Sequence, residues 1–289
     1  MNNKLLELSM NNLADEDGDI LHIPHGDMPG DKINIEKSHI EKAKVIFPEL
    51  IKKVKECATT NSKVVITVCG GSGVGKSEIA SLLAHYFENM GVGCYTLSGD
   101  NYPHRIPVYN DAERLRIFRE SAIRGMITDG EYSFERFNII HQYQLENKDA
   151  EPKNIVKYPW YESYIRNGAM GLQGYLGTEK EINFFEIQNI VKEFKSGAEK
   201  IWLKRMGRED TELWYEEVDF SEKDILIIEW THGNSKNYTG VDIPVLLNST
   251  PKETLAHRRS RNRDGAVDSP FTTLVLELEQ KLLRRDAHK

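Results

Sequence analysis

The stretch from Lys63 to Gly91 does most to restrict what this chain can fold into. "KVVITVCGG" is a short apolar run rich in β-branched residues and ended by glycines, and "KSEIASLLAHYFENMG" follows with helical period and a terminal glycine. Between them Gly70 to Ser77, "GGSGVGKS", match G-x-x-x-x-G-K-[ST] in full. The motif has a mechanical meaning only between a strand and a helix, and that context is present here.

Glycines at 70, 71, 73 and 75 let the backbone turn with several N–H groups converging on one point, backed by a helix amino terminus. The concavity suits phosphate oxygens. Gly71, Ser72, Gly73, Val74, Gly75, Lys76, Ser77 and Glu78 are therefore the expected ATP-binding segment. Lys76 would reach the β and γ phosphates as a point charge, and Ser77 would place its hydroxyl on Mg2+.

Three further apolar runs have the character of buried strands: "VGCYTLSGD" ending at Asp100, "KDILIIEWTHG" with Glu229 at its end, and "GVDIPVLLNST" before a helix near Pro251. Strands alternating with helices predict an α/β fold, a mostly parallel sheet flanked by helices of the P-loop NTPase kinase type. Ligands then sit at the carboxyl ends of the strands, where Asp100 and Glu229 fall.

Asp100 follows Gly99 in "GDNYPHR". A carboxylate there can take the proton of an attacking hydroxyl during in-line phosphoryl transfer, and it could also approach the metal; a turn or cap residue is the alternative. Glu229 reads either as a Mg2+ ligand or as a strand-end acid facing solvent. "HRRSRNRDG", from His257, carries four arginines that could close over a transferring phosphate or form a solvated face. Tyr102, His104 and Arg105 are the acceptor-side candidates, whereas Arg114 and Arg116 read as a charged helix face paired with Glu113 and Glu120. Tyr158, Trp160, Tyr161 and Tyr164 either stack on a base or sugar or form a small local core. No N-K-x-D motif follows, which counts against a GTPase.

In this order the segments resemble the uridine kinase and phosphoribulokinase group of P-loop kinases. "GGSGVGKS" is similar to the group's phosphate loop, "GDNYPHR" to its D-x-[FY] segment, "GTEKEINFFEIQNIVKEFKSG" to its turn and helix ending in Lys-x-Gly, "DILIIEWTHG" to its strand ending in Glu-Gly, and "STPKETLAHRRSRNRD" to its arginine-rich lid. The resemblance implies an ATP- and Mg2+-dependent kinase with Asp100 as base and lid arginines on the phosphate, Arg258 with Arg261 in one register or Arg259 with Arg263 in another. The chain departs where Trp230 replaces the group's glycine and where "IWLKRMGRED" replaces a Tyr-Asp pair, so the acceptor is left open among nucleosides, sugars and sugar phosphates. "GDNYPHRIPVYNDAERLRIFRE" also resembles the Gly-Asp-Asn segment of adenylylsulfate kinases. A regulatory protein that binds ATP without transferring phosphate is the non-enzyme alternative.

With 38 Lys and Arg against 45 Asp and Glu, the net charge of -7 offers no general attraction to nucleic acid or an anionic membrane. The cysteines, Cys57, Cys69 and Cys94, are odd in number and lack metal-site spacing, and no basic, apolar leader or membrane-length run is found, so a cytoplasmic protein acting on a small-molecule hydroxyl acceptor is expected. The domain reading is an irregular lead-in and helical extension over 1–60, then a P-loop domain over 61–289 with an acceptor-side insertion at about 130–214. The lead-in over 11–34 reads as a solvated loop. The helix from Ser38, broken or restarted near Pro48, would pack on the nucleotide domain or form a homodimer contact.

Overall fold

The computed structural model describes residues 3–9, 23, 25–261 and 269–286, the side chains of Asn3, Ser260 and Arg261 excepted. In chain order these form α1 (Asn3–Leu6), α2 (Lys37–Ala58), β1 (Val64–Gly70), α3 (Lys76–Asn89), β2 (Cys94–Ser98), α4 (Pro107–Thr128), α5 (Phe134–Leu145), α6 (Asn154–Lys157), α7 (Tyr161–Gln173), α8 (Phe184–Lys195), β3 (Lys200–Met206), β4 (Leu213–Asp219), β5 (Ile225–Trp230), β6 (Ile243–Leu247), α9 (Leu255–Arg261) and α10 (Pro270–Arg285). A one-turn 3-10 helix, Gly99–Asn101, follows β2. No described helix is long and apolar enough to cross a membrane.

The expected parallel sheet is present, with strand order β2-β5-β1-β6. Its faces follow from the two-residue period of a strand. Val64, Ile66 and Val68 of β1 and Ile225 and Ile227 of β5 join Phe47, Ile79, Leu83 and Phe87 in one core under α2 and α3. Val65, Leu226, Ile228 and Trp230 point to the other face, where Phe184, Ile187, Ile190 and Phe194 of α8 cover them.

Two local readings change, and a pair of strands is added. Helix α2 runs unbroken through Pro48. One lost donor and a ring clash disturb a helix locally, but the apolar stripe of Ala43, Phe47, Leu50, Ile51 and Val54 is buried on both sides of Pro48, and Phe47 packs edge-on to Tyr86 and Phe87 of α3. The "IWLKRM" segment is a strand, pairing antiparallel with β4. Of the lead-in, residues 11–22 and 24 lie outside the described residues, and the Asp27 side chain is buried where a solvated loop is expected.

The region at 130–214 holds α5 to α8, β3 and the start of β4. Helices α4 and α7 lie close enough that a Cβ at Gly168 would fall 2.5 Å from the Phe118 ring, and one at Gly171 would fall 2.0 Å from Ser121 Oγ. Around this contact Phe118, Ala122, Met126, Ile140, Tyr161 and Tyr164 make a separate small core, with Tyr158 and Trp160 against its edge. These aromatics thus pack on one another and on α4.

Candidate active site

The phosphate loop leaves β1 at Gly70, where a Cβ would meet the Leu247 carbonyl at 2.8 Å, so only glycine lets β6 lie this close. Gly73 and Gly75 have φ of 76° and 94°, the left-handed region that side chains resist. Helix α3 starts at Lys76, placing Ser77 in its first turn. The Lys76 side chain is buried and donates from Nζ to the Gly71 carbonyl at 3.3 Å, so it folds back over the loop it belongs to. Glu78 is buried beside Gly75, which also receives His39 of α2: a Cβ on Gly75 would fall 2.9 Å from His39 Nε2. Glu78 is thus packed with α2 beside the loop, not displayed as an open ligand.

Strand register assembles the rest. Glu229 is paired with Val68 of β1 on one side and with Ser98 of β2 on the other. It therefore stands between the strand that feeds the phosphate loop and the strand that delivers Asp100. Glu229 is 5% exposed, which excludes the solvent-facing reading. Burial pushes its carboxyl up to about 8; Lys76 opposes this, while Asp100, Asp31 and Glu78 add to it. To ionise at neutral pH, such a carboxyl needs a cation beside it. The glycine cradle, the lysine and a buried acid short of positive charge together fit a nucleotide polyphosphate with a divalent metal.

Asp100 is exposed at the carboxyl edge, on the one-turn helix, while Gly99 and Asn101 on either side of it are buried. The other acceptor-side candidates are more constrained than their types imply. Tyr102 is wholly buried in the core beneath α8, and its hydroxyl has no hydrogen-bond partner among the described residues; burial raises it well above the usual tyrosine range. The expectation that it lines an open substrate site is corrected by this placement: the apolar ring is worth more inside the core than at the edge. His104 is exposed, its Nε2 2.9 Å from the Glu179 carbonyl. Arg105 donates to the Tyr175 hydroxyl at 3.1 Å and lies 3.8 Å from Glu113.

Arg258 does not stand over the loop. Its stem lies against Gly73, where a Cβ would fall 2.8 Å from Arg258 Cγ, and its Nη1 donates to the Pro251 carbonyl at 2.8 Å and to Thr254 Oγ1 at 2.6 Å. In this structure it fastens the 250–254 turn to the phosphate loop, because a buried guanidinium must spend its donors on nearby oxygens. The side chain of Arg261, and Arg263 with it, lie outside the described residues. Arg259 is exposed.

Residues that sequence reasoning missed cluster around the same edge. Asp27 accepts four hydrogen bonds near Asp100. Gln280 of α10 reaches Gly71, its Oε1 3.3 Å from where a Cβ would be. Arg114, read as part of a solvated face, is instead buried between Glu181 at 2.7 Å and Glu279 at 3.2 Å, whereas Arg116 is exposed and paired with Glu113 and Glu120 as expected. Glu279 is pushed up to about 7 by burial, against the pull of Arg114. Among the described residues no cluster of three metal-ligating side chains of His, Cys, Asp and Glu is found, so any metal here would rely on phosphate oxygens and Ser77 as well as on Glu229.

The Zeta toxin family matches residues 48–124, the segment from mid-α2 through the phosphate loop and Asp100 into α4. The chain is 41% identical over 236 residues to the bifunctional alpha-galactosidase/sucrose kinase AgaSK of Mediterraneibacter gnavus, a match covering 81% of this chain and 20% of that protein. The chain thus spans about a fifth of the length of the curated relative it matches. A solved structure described provisionally as a fructose transport system kinase from Silicibacter sp. TM1040 superposes with a TM-score of 0.50 at 11% identity, over 85% of this chain and 94% of that one. Fold and loop together are those of the kinase-type P-loop proteins.

Proposed function

We propose that this protein transfers the γ-phosphoryl group of ATP to a hydroxyl of a sugar. The observation that carries the reading is the register that sets Glu229 between Val68 and Ser98, because it draws the phosphate loop, a buried metal-seeking acid and the exposed Asp100 to one edge of the sheet. A protein that only bound ATP would need no carboxylate at Asp100.

In this reading Gly71 to Ser77 cradle the donor phosphates, Lys76 leaves its resting bond to Gly71 to hold the β and γ oxygens, and Asp100 takes the proton of the acceptor hydroxyl. Ser77 and Glu229, with phosphate oxygens, would hold Mg2+, which would supply positive charge against that of the transferring group. Burial favours the neutral form of Glu229 and a metal beside it would favour the ionised form, which links metal binding to ionisation of the acid.

The acceptor class rests on two supports. The name of the relative joins an alpha-galactosidase to a sucrose kinase, and the phosphate loop of this chain favours the kinase half; a match over 81% of this chain takes in that loop, Asp100 and Glu229. The side chains at the edge also favour a neutral acceptor: Arg114 is committed to Glu181 and Glu279, and Arg119 to Asp149 at 2.7 Å, which leaves them unsuited to a sulfated nucleotide. The resemblance to the uridine kinase and phosphoribulokinase group then describes the donor half, and a sugar replaces the nucleoside or sugar phosphate.

The test is a panel of free sugars including sucrose, nucleosides, sugar phosphates and adenylylsulfate, with Mg2+ and ATP, read by ADP release and product mass. A sugar should be phosphorylated fastest, and Asp100→Asn should slow transfer by roughly 100- to 10,000-fold, to a residual rate that can still be measured, while ATP still binds. Undiminished transfer in that variant would show the base to lie elsewhere.

A further inference from the structure

Asp27 belongs to the segment before α2, far from Asp100 in sequence, yet its carboxylate is buried at the end of β2. Its Oδ1 accepts from the Ser98 backbone N–H at 2.6 Å and from Asn101 Nδ2 at 3.2 Å. Its Oδ2 accepts from the Tyr95 hydroxyl at 3.0 Å and from Arg205 Nη1 at 2.9 Å. Both oxygens are therefore fully used.

Ser98 and Asn101 bracket the two residues Gly99 and Asp100, so one carboxylate grips both ends of the turn whose exposed member is Asp100. Asn101 extends the grip, its Oδ1 accepting from the Met206 N–H at 3.0 Å, and Arg205 is held in turn by Glu216 at 3.0 Å. The turn is thereby tied to the last residues of β3. At the end of the segment Glu36 and His39 close a capping box on α2, with His39 against Gly75. The segment from Asp27 to His39 thus passes from the Asp100 turn to the phosphate loop along the reacting edge.

We infer that Asp27 is a positioning residue for phosphoryl transfer: held by Arg205, it sets the Gly99–Asn101 turn so that Asp100 faces the acceptor hydroxyl. This rests on the reading of Asp100 as base. A merely structural anchor would hold the lead-in on the sheet and leave the chemistry of Asp100 untouched. A positioning residue acts only through Asp100, and that difference can be measured.

The experiment compares Asp27→Asn, Asn101→Ala, Asp100→Asn and the doubles with Asp100→Asn in the full chain, with the fastest sugar of the panel as acceptor. Transfer rate, ATP dissociation constant and melting temperature are read for each. Asp27→Asn is expected to lower kcat by roughly 10- to 100-fold, the scale of a misplaced reacting group, with the ATP constant within about twofold. Asp27→Asn/Asp100→Asn should be no slower than Asp100→Asn alone. Undiminished kcat in Asp27→Asn, or losses that multiply in the double variant, would overturn the inference. Should loss of the carboxylate leave Arg205 with Glu216 as its remaining acidic partner and the protein unfolded, Asn101→Ala, which uncovers no charge, carries the same comparison. Failure of the base assignment would appear separately, as full transfer in Asp100→Asn, and the role of Asp27 would fall with it.

Discussion

The indole of Trp230 is seated directly on Gly99: a Cβ added to Gly99 would fall 2.0 Å from Trp230 Cγ and 2.5 Å from Trp230 Cβ. The tryptophan that replaces the glycine of the resembling group is thus matched by an absent side chain beside the proposed base. Gly99→Ala should overpack this contact and cost about 1–3 kcal/mol, or several degrees in Tm, while displacing Asp100 and slowing transfer. Adding Trp230→Leu should return part of the lost Tm. Thermal melts of the single and double variants check this, and an unaltered Tm in Gly99→Ala would show that the turn yields without cost.

Lys76 rests on the Gly71 carbonyl, a bond that ATP phosphates can replace. Lys76→Ala should remove the charge on the β and γ oxygens, so transfer should be lost and ATP should bind more weakly by calorimetry. Unchanged turnover would mean that the loop does not hold the transferred phosphate.

Arg114 and Arg116 lie two residues apart on α4 but in opposite circumstances. Arg114→Met leaves the buried Glu181 and Glu279 without their shared cation and should cost about 3–5 kcal/mol. Arg116→Ala removes exposed pairs to Glu113 and Glu120 and should change stability by less than about 1 kcal/mol. Denaturant titrations of the two variants give the comparison.

His232 is held down to about 4 by burial, with Arg114 and Lys76 adding to the effect and Glu181 opposing it. Its ordinary value is 6.5, so between these limits the unfolded chain binds the proton more readily, and the contribution of His232 to stability is lost as pH falls through that window. Asp27, Glu229 and Glu279, all pushed upward, act in the opposite sense over much of the same range. The difference between wild type and His232→Gln isolates the histidine: wild-type stability should fall relative to the variant as pH is lowered from about 6.5 towards 4. A difference that stays flat across that range would refute the shift.

The phosphate loop, the four parallel strands and the helices beside them were legible because each is a local pattern: apolar runs of strand length, glycines before Lys76, helical period after it. The same locality explains what was not legible. Strand β4 is exposed along nearly all its length, so it carries no alternation that could distinguish it from a loop. Arg114 and Arg116 sit in one charged run, and only the partners contributed by Glu181 and Glu279 separate a buried triad from a solvated face. Tyr102 stands next to a candidate active-site segment yet points into the core, a choice of face that a residue type does not reveal.

By itself, then, the sequence determined that a complete phosphate-loop motif sits in a strand–loop–helix unit and that Asp100 and Glu229 fall at strand ends of an α/β sheet. Tertiary structure alone decided that Glu229 lies between β1 and β2, that Trp230 fills the space above Gly99, and that Asp27 and Arg205, 178 residues apart, meet beneath the turn carrying Asp100. Strand order and buried charge pairs depend on which distant segments the folded core brings together. Hydrophobic period marks the segments that will be buried, but carries no record of their neighbours.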